Sequence, residues 1–343
     1  MAKMQMTETD PQSVTTEKKP VMTRLTELHK EDMAAVNKVI LEHMQSDVPL
    51  IPQLAGHLIA AGGKRIRPLL TVSAFHLCKG QGERAYPLSA CVEFIHTATL
   101  LHDDVVDASD QRRGQASANS IFGNEASVLV GDFLFSRAFQ LMVADGSLAV
   151  LKTLSDASAV IAEGEVLQLS TQNNINTSRA EYLDVITAKT AVLFAAACET
   201  GALCADASDA EIKAMREYGM LLGQAFQMAD DMMDYQSTAS EMGKAAGDDF
   251  KEGKITLPVI FAIENANDEE RAFWQRVLGE LDQKEGDYAH ALTLFDKYNV
   301  YDKGRELANS YTEKAITCLS IFEDGPIKEC YLDLLDYVIH RKA

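Results

Sequence analysis

The sequence has little of what would direct it to a β-sheet, disulfide-stabilised or membrane-spanning fold. It contains only 8 prolines, and no Asn-Gly or Asp-Gly pair stands between alternating apolar and polar runs, so hairpin signals are lacking. Its 6 cysteines form no Cys-x-x-Cys pair and lie mostly in apolar helical stretches, which favours reduced core thiols. The longest unbroken apolar run, 191–198, is far shorter than the roughly 20 residues that span a bilayer.

The chain also lacks positive charge. It has 32 lysines and arginines against 51 aspartates and glutamates, a formal net charge of −19. Such a surface repels the phosphates of nucleic acids and the anionic faces of membranes, so we expect neither as a general partner. The N-terminal segment has no apolar signal region and includes Glu8 and Asp10, which argues against a transit peptide. We therefore predict a cytoplasmic protein with a disordered tail over 1–24 and one folded domain over 25–343.

Apolar residues recur at helical rather than alternating spacing from about Thr23 onward. Leu88, Cys91 and Ile95 are an example, because positions three and four apart share one face of a helix. Turn-rich clusters such as 78–83 separate these segments, and 47% hydrophobic residues are enough for a large core. The pattern predicts an all-α helical bundle without a second domain.

Two aspartate-rich motifs each end an apolar helical stretch: LLHDDVVD at 100–107 and QMADDMMD at 227–234. Because residues four apart lie on one helix face, Asp103 and Asp107 point the same way, and the second motif repeats this arrangement. Such carboxylates suit Mg²⁺, which keeps its remaining positions for water and phosphate oxygens. Two facing helices of this kind could hold several Mg²⁺ ions around one diphosphate. The candidate metal ligands are Asp103, Asp104, Asp107, Asp230, Asp231 and Asp234.

A solvated acidic patch is the plain alternative for either motif alone. Two copies weaken that alternative, since carboxylates set directly on core-facing helices are expensive unless they are paired or bind a metal. An EF-hand calcium loop does not fit, because neither motif has the required glycine or the terminal glutamate.

Cations cluster beside these motifs although the chain is acidic overall. Arginine and lysine are the usual ligands of diphosphate oxygens, but each one alone could equally be a solvated surface cation or a lysine extending from a helix to water. His96 lies on a face similar to that of Asp103, where a satisfied core histidine is the plain alternative. The candidate cations are Lys64, Arg67, Arg112, Arg113, Lys189, Lys244 and Lys254.

Together these motifs resemble those of the trans-polyprenyl diphosphate synthases. GGKRIRP, DDVVD followed by Arg-Arg-Gly, Lys189-Thr190, DDMMD and GDDFKEGK correspond in type and order, over about Leu25 to Arg341. The stretch EFIHTATLLHDDVVDASDQRRG is most similar to the long-chain members, the octaprenyl, solanesyl and decaprenyl synthases that make quinone side chains. The resemblance implies the isoprenoid synthase fold, a single large antiparallel helical bundle around a deep central cavity, and usually a homodimer.

The resemblance also implies a role for each motif residue. Lys64, Arg67, His96 and Arg113 would bind the diphosphate of isopentenyl diphosphate. Arg112, Lys189, Thr190, Gln227, Lys244 and Lys254 would line the site of the allylic substrate, farnesyl or geranylgeranyl diphosphate. The aspartates would hold Mg²⁺ against the allylic group, about two to three ions per site. The residues expected to be catalytic are Asp103, Asp107, Lys189, Asp230 and Lys244.

Product length would depend on how deep the cavity runs below the first motif. Ala98 and Thr99, one turn before it, are small, whereas short-chain members of the family often carry an aromatic residue there. We therefore expect an octaprenyl to decaprenyl product for ubiquinone side chains; close helix packing is the other interpretation of these two residues. A short-chain farnesyl or geranylgeranyl synthase, a class I terpene cyclase and a non-catalytic subunit of a heteromeric synthase are alternatives. No transmembrane segment is expected, although release of so apolar a product leaves a transient membrane contact open.

Overall fold

The computed structural model describes residues 18–60, 65–112, 114–236 and 247–341. Within these ranges the chain is helical apart from connecting segments and one short antiparallel hairpin, in which Gln111 pairs with Ala116 and Arg112 with Gln115. Its two strands are β1 (Gln111–Arg112) and β2 (Gln115–Ala116). The predicted all-α fold is confirmed.

The described helices follow one another with short connections. The first group comprises α1 (Val21–Leu28), α2 (Lys30–His43), α3 (Leu50–Ala60), α4 (Ile66–Leu77), α5 (Ala85–Val106), α6 (Ala118–Phe122), α7 (Asn124–Asp145) and α8 (Leu148–Thr171). The second comprises α9 (Arg179–Ile186), α10 (Val192–Cys204), α11 (Asp209–Gln236), α12 (Asp248–Lys251), α13 (Leu257–Asn265), α14 (Asp268–Trp274), α15 (Asp287–Tyr298), α16 (Val300–Cys318) and α17 (Pro326–His340). Single π-helical turns follow α9 (Thr187–Ala191) and α14 (Gln275–Gly279), and a 3₁₀ turn follows α16 (Leu319–Ile321).

Helix α10 lies inside the larger apolar core cluster. Its sequence VLFAAACETGALC is buried on nearly all sides, as expected of a helix that other helices surround, and α4, α5, α8 and α11 pack against it. Glycine permits the close approach of α11, because a Cβ added at Gly219 of α11 would lie 2.5 Å from the carbonyl oxygen of Phe194. This packing sets the π-helical turn before α10 beside the second half of α11, where Thr190 and Gln227 are hydrogen-bonded.

A second apolar cluster is formed by the C-terminal helices around Trp274 and Phe295, whose rings stack with centroids 5.7 Å apart. Helix α11 belongs to both clusters: Leu222 packs in the larger one and Met232 in the other. The second aspartate motif therefore lies on the helix that joins the two parts of the core, which fixes its position.

The N-terminal boundary differs from the predicted tail over 1–24. Helix α1 begins at Val21, which is buried together with Leu25, and the Lys18 ammonium lies 2.7 Å from Glu329 and 2.6 Å from Asp333 of α17. The predicted boundary was too late because these few apolar residues are stabilised by a helix from the far end of the sequence. Residues 1–17 lie outside the described ranges.

Two helical stretches are long and apolar enough to cross a bilayer by length and composition, Asn124–Asp145 and Arg179–Cys204. Single polar residues interrupt both, so counting unbroken apolar runs missed them. In the second stretch 67% of the most apolar 18-residue segment is buried inside the protein, as in a core helix. In the first stretch the buried share is 44%. Length and composition alone do not make either stretch a membrane span, and the first one has an apolar surface that the described chain leaves exposed.

Candidate active site

The first aspartate motif forms the end of α5. Burial raises the pKa of Asp103 to about 7; Lys189 opposes this effect, whereas Glu165 and Asp107 add to it. A carboxyl held in this way favours a bound cation, because the cation removes the penalty on the charged form. Asp107 follows the last helical residue, and its Oδ2 lies 3.7 Å from the ammonium of Lys254.

The middle aspartate of this motif has a different role. Asp104 is buried, and its Oδ1 lies 2.6 Å from Nη2 and 2.8 Å from Nε of Arg112. Neither residue lines the cleft described below. Asp103 is not among the lining residues either, and the charge of Arg112 acts on it, so the predicted roles of Asp104 and Arg112 stay predictions. Adjacent helical residues are about 100° apart, so Asp104 faces the loop after the helix, and its ion pair anchors that loop.

The second motif lies near the end of α11, with Asp231 at its centre. The Tyr182 hydroxyl donates to Asp231 Oδ2 at 2.6 Å, and Gln227 Nε2 donates to Oδ1 at 2.7 Å. Burial raises the pKa of Asp231 to about 7 despite these two donors, and the neighbouring Asp230 and Asp234 add to the rise. Each motif thus contains a carboxyl whose negative charge is not fully stabilised by the groups around it.

The outer aspartates of the second motif have different partners. Asp234 is buried and accepts a hydrogen bond of 3.1 Å from the backbone N–H of Asp249. Burial raises the pKa of the Asp249 carboxyl well above its usual range, and the charge of Asp234 adds to the effect. Asp230 lies 2.5 Å from a guanidinium nitrogen of Arg341, which also stacks over the Phe226 ring with 3.8 Å to the centroid. A cation from the C-terminal end of the described chain therefore lies on a predicted metal ligand.

A cleft lies between the two motifs and encloses about 790 Å³ of empty space, open solvent at its mouth included. Its lining includes residues of both motifs, and it also takes in the end of α8, the π-helical turn before α10 and the loop after α12. Within it the Thr190 hydroxyl donates to Gln227 Oε1 at 2.8 Å. The structure thus brings together six of the predicted site residues, namely Asp107, Lys189, Thr190, Gln227, Asp231 and Lys254.

Two lysines supply positive charge to this cleft. The Lys189 ammonium lies 2.9 Å from Glu165 Oε2, and about a quarter of its side chain is exposed, so it can reach a ligand. Lys254 lies 2.5 Å from Glu252. Burial works against the charge of Lys254, but Asp249 and Asp107 prevail and raise the pKa of this ammonium above its ordinary value. Both lysines are therefore positioned to neutralise an anion that enters the cleft.

Three residues at this site were missed by the sequence reasoning: Glu165, Tyr182 and Asp249. Asp249 stands in GDDFKEGK, where Lys254 alone was taken as a candidate, so a weak signal was present. Glu165 and Tyr182 gave no local signal, because their partners Lys189 and Asp231 are distant in sequence and only the folded chain joins them.

Two of the residues predicted to bind isopentenyl diphosphate lie within the described chain. Arg67 and His96 lie together, with Nη1 of Arg67 3.0 Å from Nε2 of His96, and the Arg67 guanidinium stacks on Phe194 at 4.5 Å. Because arginine only donates, this contact makes Nε2 of His96 the acceptor. The predicted residues Lys64, Arg113 and Lys244 lie outside the described residues.

The residues expected to set product length lie on α5 one turn before the first motif. Ala98 is completely buried in the larger core cluster, and the Thr99 hydroxyl donates to the His96 carbonyl at 2.8 Å. Neither lines the cleft. Close helix packing thus accounts for part of their small size, and their influence on product length stays a prediction.

The donor set of the cleft fits a hard divalent cation. Its potential ligands are carboxylate oxygens from two helices, and burial raises the pKa of both Asp103 and Asp231, with neighbouring carboxylates adding to the rise. Mg²⁺ takes such oxygens while keeping positions for phosphate and water. Asp103, Asp107 and Asp231 would hold it directly, and Asp230 would do so once Arg341 releases it.

Comparison with known proteins agrees with this geometry. A sequence model described as polyprenyl synthetase matches residues 48–295. The chain is 43% identical over 320 residues to the octaprenyl diphosphate synthase of Escherichia coli (strain K12), which covers 93% of this chain and 98% of that protein.

Two solved structures share the fold closely. A polyprenyl synthase from Caulobacter crescentus, complexed with calcium and isoprenyl diphosphate, superposes with a TM-score of 0.91 at 50% identity, covering 95% of this chain and 100% of that one. A decaprenyl diphosphate synthase from Rhodobacter capsulatus gives a TM-score of 0.90 at 49% identity, covering 94% and 99%. The expected isoprenoid synthase fold is confirmed.

Proposed function

The chain belongs to the polyprenyl synthetase family, and from this premise we propose that it is a long-chain all-trans polyprenyl diphosphate synthase. It is a prenyltransferase of isoprenoid synthesis. The proposed reaction joins isopentenyl diphosphate to an allylic diphosphate, farnesyl or geranylgeranyl, and repeats until an octaprenyl to decaprenyl product suited to ubiquinone side chains is formed. One observation carries the proposal: carboxylates from both aspartate motifs and the ammonium groups of Lys189 and Lys254 share one cleft.

The first chemical step is loss of diphosphate from the allylic substrate, which breaks a carbon–oxygen bond and leaves an allylic cation. Mg²⁺ bound to the aspartates, about two to three ions, would supply electrostatic stabilisation of the leaving diphosphate. Lys189 and Lys254 lie on the cleft wall and would bind the same oxygens. The Thr190 hydroxyl and the Gln227 side chain would orient the group, because they are already hydrogen-bonded to each other.

In the second step the double bond of isopentenyl diphosphate attacks the allylic cation and forms the new carbon–carbon bond. Arg67 and His96 would hold the isopentenyl diphosphate, together with Lys64 and Arg113. Loss of one proton then gives the trans alkene, and the released diphosphate is the proposed acceptor of that proton. The apolar side chains of Val185, Ile186 and Ile255 line the cleft and would limit access of water to the cation.

The proposal is tested by incubating the protein with Mg²⁺, farnesyl diphosphate and labelled isopentenyl diphosphate, and sizing the products after dephosphorylation. The proposal predicts a ladder that ends at about eight to ten isoprene units, the lengths for which long-chain relatives are named. Termination at four units would identify a short-chain synthase instead. No incorporation from any allylic primer would indicate a non-catalytic subunit.

A homodimer is part of the proposal, and its support is an apolar face on α7 and α8. Leu129 is 66% exposed, Val143 67%, Leu148 80% and Val166 67%, and burial of such large apolar side chains against a second copy would be favourable. A second copy covering this face would explain why the helix Asn124–Asp145 is apolar enough to pass for a membrane span. A cytoplasmic location, with transient membrane contact at product release, completes the proposal.

A further inference from the structure

A cluster of two histidines and one carboxylate lies outside the catalytic cleft. His29 joins α1 to α2, Asp32 lies in the first turn of α2, and His76 lies in the last turn of α4. Asp32 Oδ2 lies 3.3 Å from Nδ1 of His29 and 3.1 Å from Nε2 of His76. The other carboxylate oxygen of Asp32 accepts a 2.8 Å hydrogen bond from the Tyr86 hydroxyl of α5. The junction of α1 and α2, helix α4 and helix α5 therefore each bring a side chain to the carboxylate that α2 carries.

The surroundings of the cluster favour metal ligation over simple solvation. His29 is 3% exposed, and its Nε2 has no hydrogen-bond partner among the described residues. The His76 side chain is 33% exposed, which leaves the cluster open to solvent on one side.

We propose that His29, Asp32 and His76 form a structural binding site for a divalent transition metal, Zn²⁺ in the first instance. One ligand atom from each of the three residues lies within 4.8 Å of the others, and two imidazoles with one carboxylate are a usual zinc donor set. Mg²⁺ would not compete well here, because it prefers oxygen ligands alone. The hydrogen bond from Tyr86 would orient the Asp32 carboxylate, as outer-shell partners of metal ligands do.

One ring must move for ligation. The two imidazoles are nearly parallel, with centroids 5.2 Å apart and an angle of 15° between their planes. Zinc bonds of about 2.0–2.2 Å need ligand atoms closer together than 4.8 Å, so the required shift is on the order of 1 Å. His76 can make it, since its side chain is partly exposed and lies at a helix end, whereas His29 is fixed by burial. Water would complete the coordination on the exposed side.

The site is separate from the catalytic centre. Tyr86 and Asp103 lie at opposite ends of α5, and at a rise of 1.5 Å per residue they are about 25 Å apart along the helix. Bound zinc would fasten α2 to α4 and α5 and would raise thermal stability without taking part in prenyl transfer. The proposal therefore does not depend on the proposed function.

The test is a titration of the chelator-treated protein with Co²⁺, followed by visible absorption, and with Zn²⁺, followed by melting temperature. Four-coordinate cobalt with nitrogen ligands absorbs far more strongly than the oxygen-coordinated cobalt that the aspartate motifs would bind. We expect strong bands at one equivalent and a rise in melting temperature of about 5 °C at saturating zinc. His76→Ala and Asp32→Asn should lose both effects.

His102→Ala is the matched control, because His102 is 32% exposed and lies 3.6 Å from Asp132 but belongs to no group of three potential ligands among the described residues. It should keep the cobalt bands and the zinc shift. If His76→Ala fails to fold, His76→Gln preserves the size of the side chain and serves in its place. Bands or zinc shifts that are lacking in the parent protein, or equal in the parent and His76 variants, would overturn the proposal and leave a purely hydrogen-bonded cluster.

Discussion

Among the described side chains around the cleft, carboxylates outnumber the cations that could neutralise them. Burial raises the pKa of Asp103 and Asp231, and neighbouring carboxylates add to the rise, while Lys189 and Lys254 are already paired with carboxylates of the protein. An electrostatic deficit of this kind destabilises the free protein and is relieved when divalent cations and a diphosphate bind together. This destabilisation of the free protein accompanies a site that must bind a highly charged group.

This deficit predicts a stability effect at Asp103. Its folded-state pKa of about 7 is above the unfolded value of 3.8, so the folded protein loses stability as pH rises between them. Asp103→Asn cannot ionise. Without metal, the free energy of unfolding of the variant should therefore increase relative to that of the parent protein as pH rises from 4 to 7. The increase should be at most about 4 kcal/mol and should reach a plateau above pH 7.

The measurement is thermal unfolding in chelator at several pH values, for both proteins. Asp156→Asn provides a control, because Asp156 is an exposed partner of Lys152 on α8. It should show no such trend. A difference between Asp103→Asn and the parent protein that does not change with pH would contradict the account.

Lys189 is expected to act directly on the leaving diphosphate. Lys189→Ala removes a cation that lines the cleft and the partner of Glu165, so kcat should fall by about 10²–10³. Lys152→Ala removes an equally charged but 76% exposed lysine and should leave kcat unchanged. Initial rates of isopentenyl incorporation measure both. Similar rates for the two variants would remove Lys189 from the mechanism.

At the residue scale the sequence predicted the motifs but not their pairings. Asp107 and Asp231 reach the cleft as expected, whereas Asp104 forms an ion pair with Arg112. The difference lies in the direction of each side chain around its helix and in partners brought by tertiary contact. The spacing of residues along the sequence gives the direction of a side chain only approximately, and it does not give the tertiary partners at all.

At the scale of elements, close packing of α10 against α11 positions both sides of the cleft. The periodicity of the sequence predicted such helices, but it did not predict the π-helical turn Thr187–Ala191, whose extra residue places Lys189 and Thr190 on the cleft wall. A π-helical turn has no strong sequence signal, because it depends on what packs around it.

The contact between α10 and α11 gives a test of this packing. Gly219→Ala would place a Cβ 2.5 Å from the Phe194 carbonyl oxygen, and we expect the free energy of unfolding to fall by about 2 kcal/mol. Gly56→Ala in α3 is the matched control, since nothing lies within 4 Å of its Cβ position. It should stabilise the protein by about 0.5–1 kcal/mol. Denaturant unfolding measures both, and equal effects would show that the helices can separate freely.

At the scale of the whole molecule, the apolar face of α7 and α8 predicts an assembly. The charge replacements Leu129→Asp and Val143→Asp in one chain should shift the protein from dimer to monomer, since each would place a carboxylate in the buried interface. Ile316→Asp on α16 changes a residue that is 48% exposed elsewhere and should leave the dimer intact. Light scattering after size exclusion measures the mass. A monomeric parent protein would contradict this part of the proposal.

The central claim is that the cleft between the two aspartate motifs binds the allylic diphosphate through divalent cations. It is tested most directly by a crystal structure with Mn²⁺ and an unreactive allylic diphosphate analogue, in which anomalous scattering locates the metal. We predict Mn²⁺ between Asp103 or Asp107 on one side and the second motif on the other, with Arg341 released from Asp230 and Lys189 on the diphosphate. Metal and diphosphate bound away from both motifs would contradict the account.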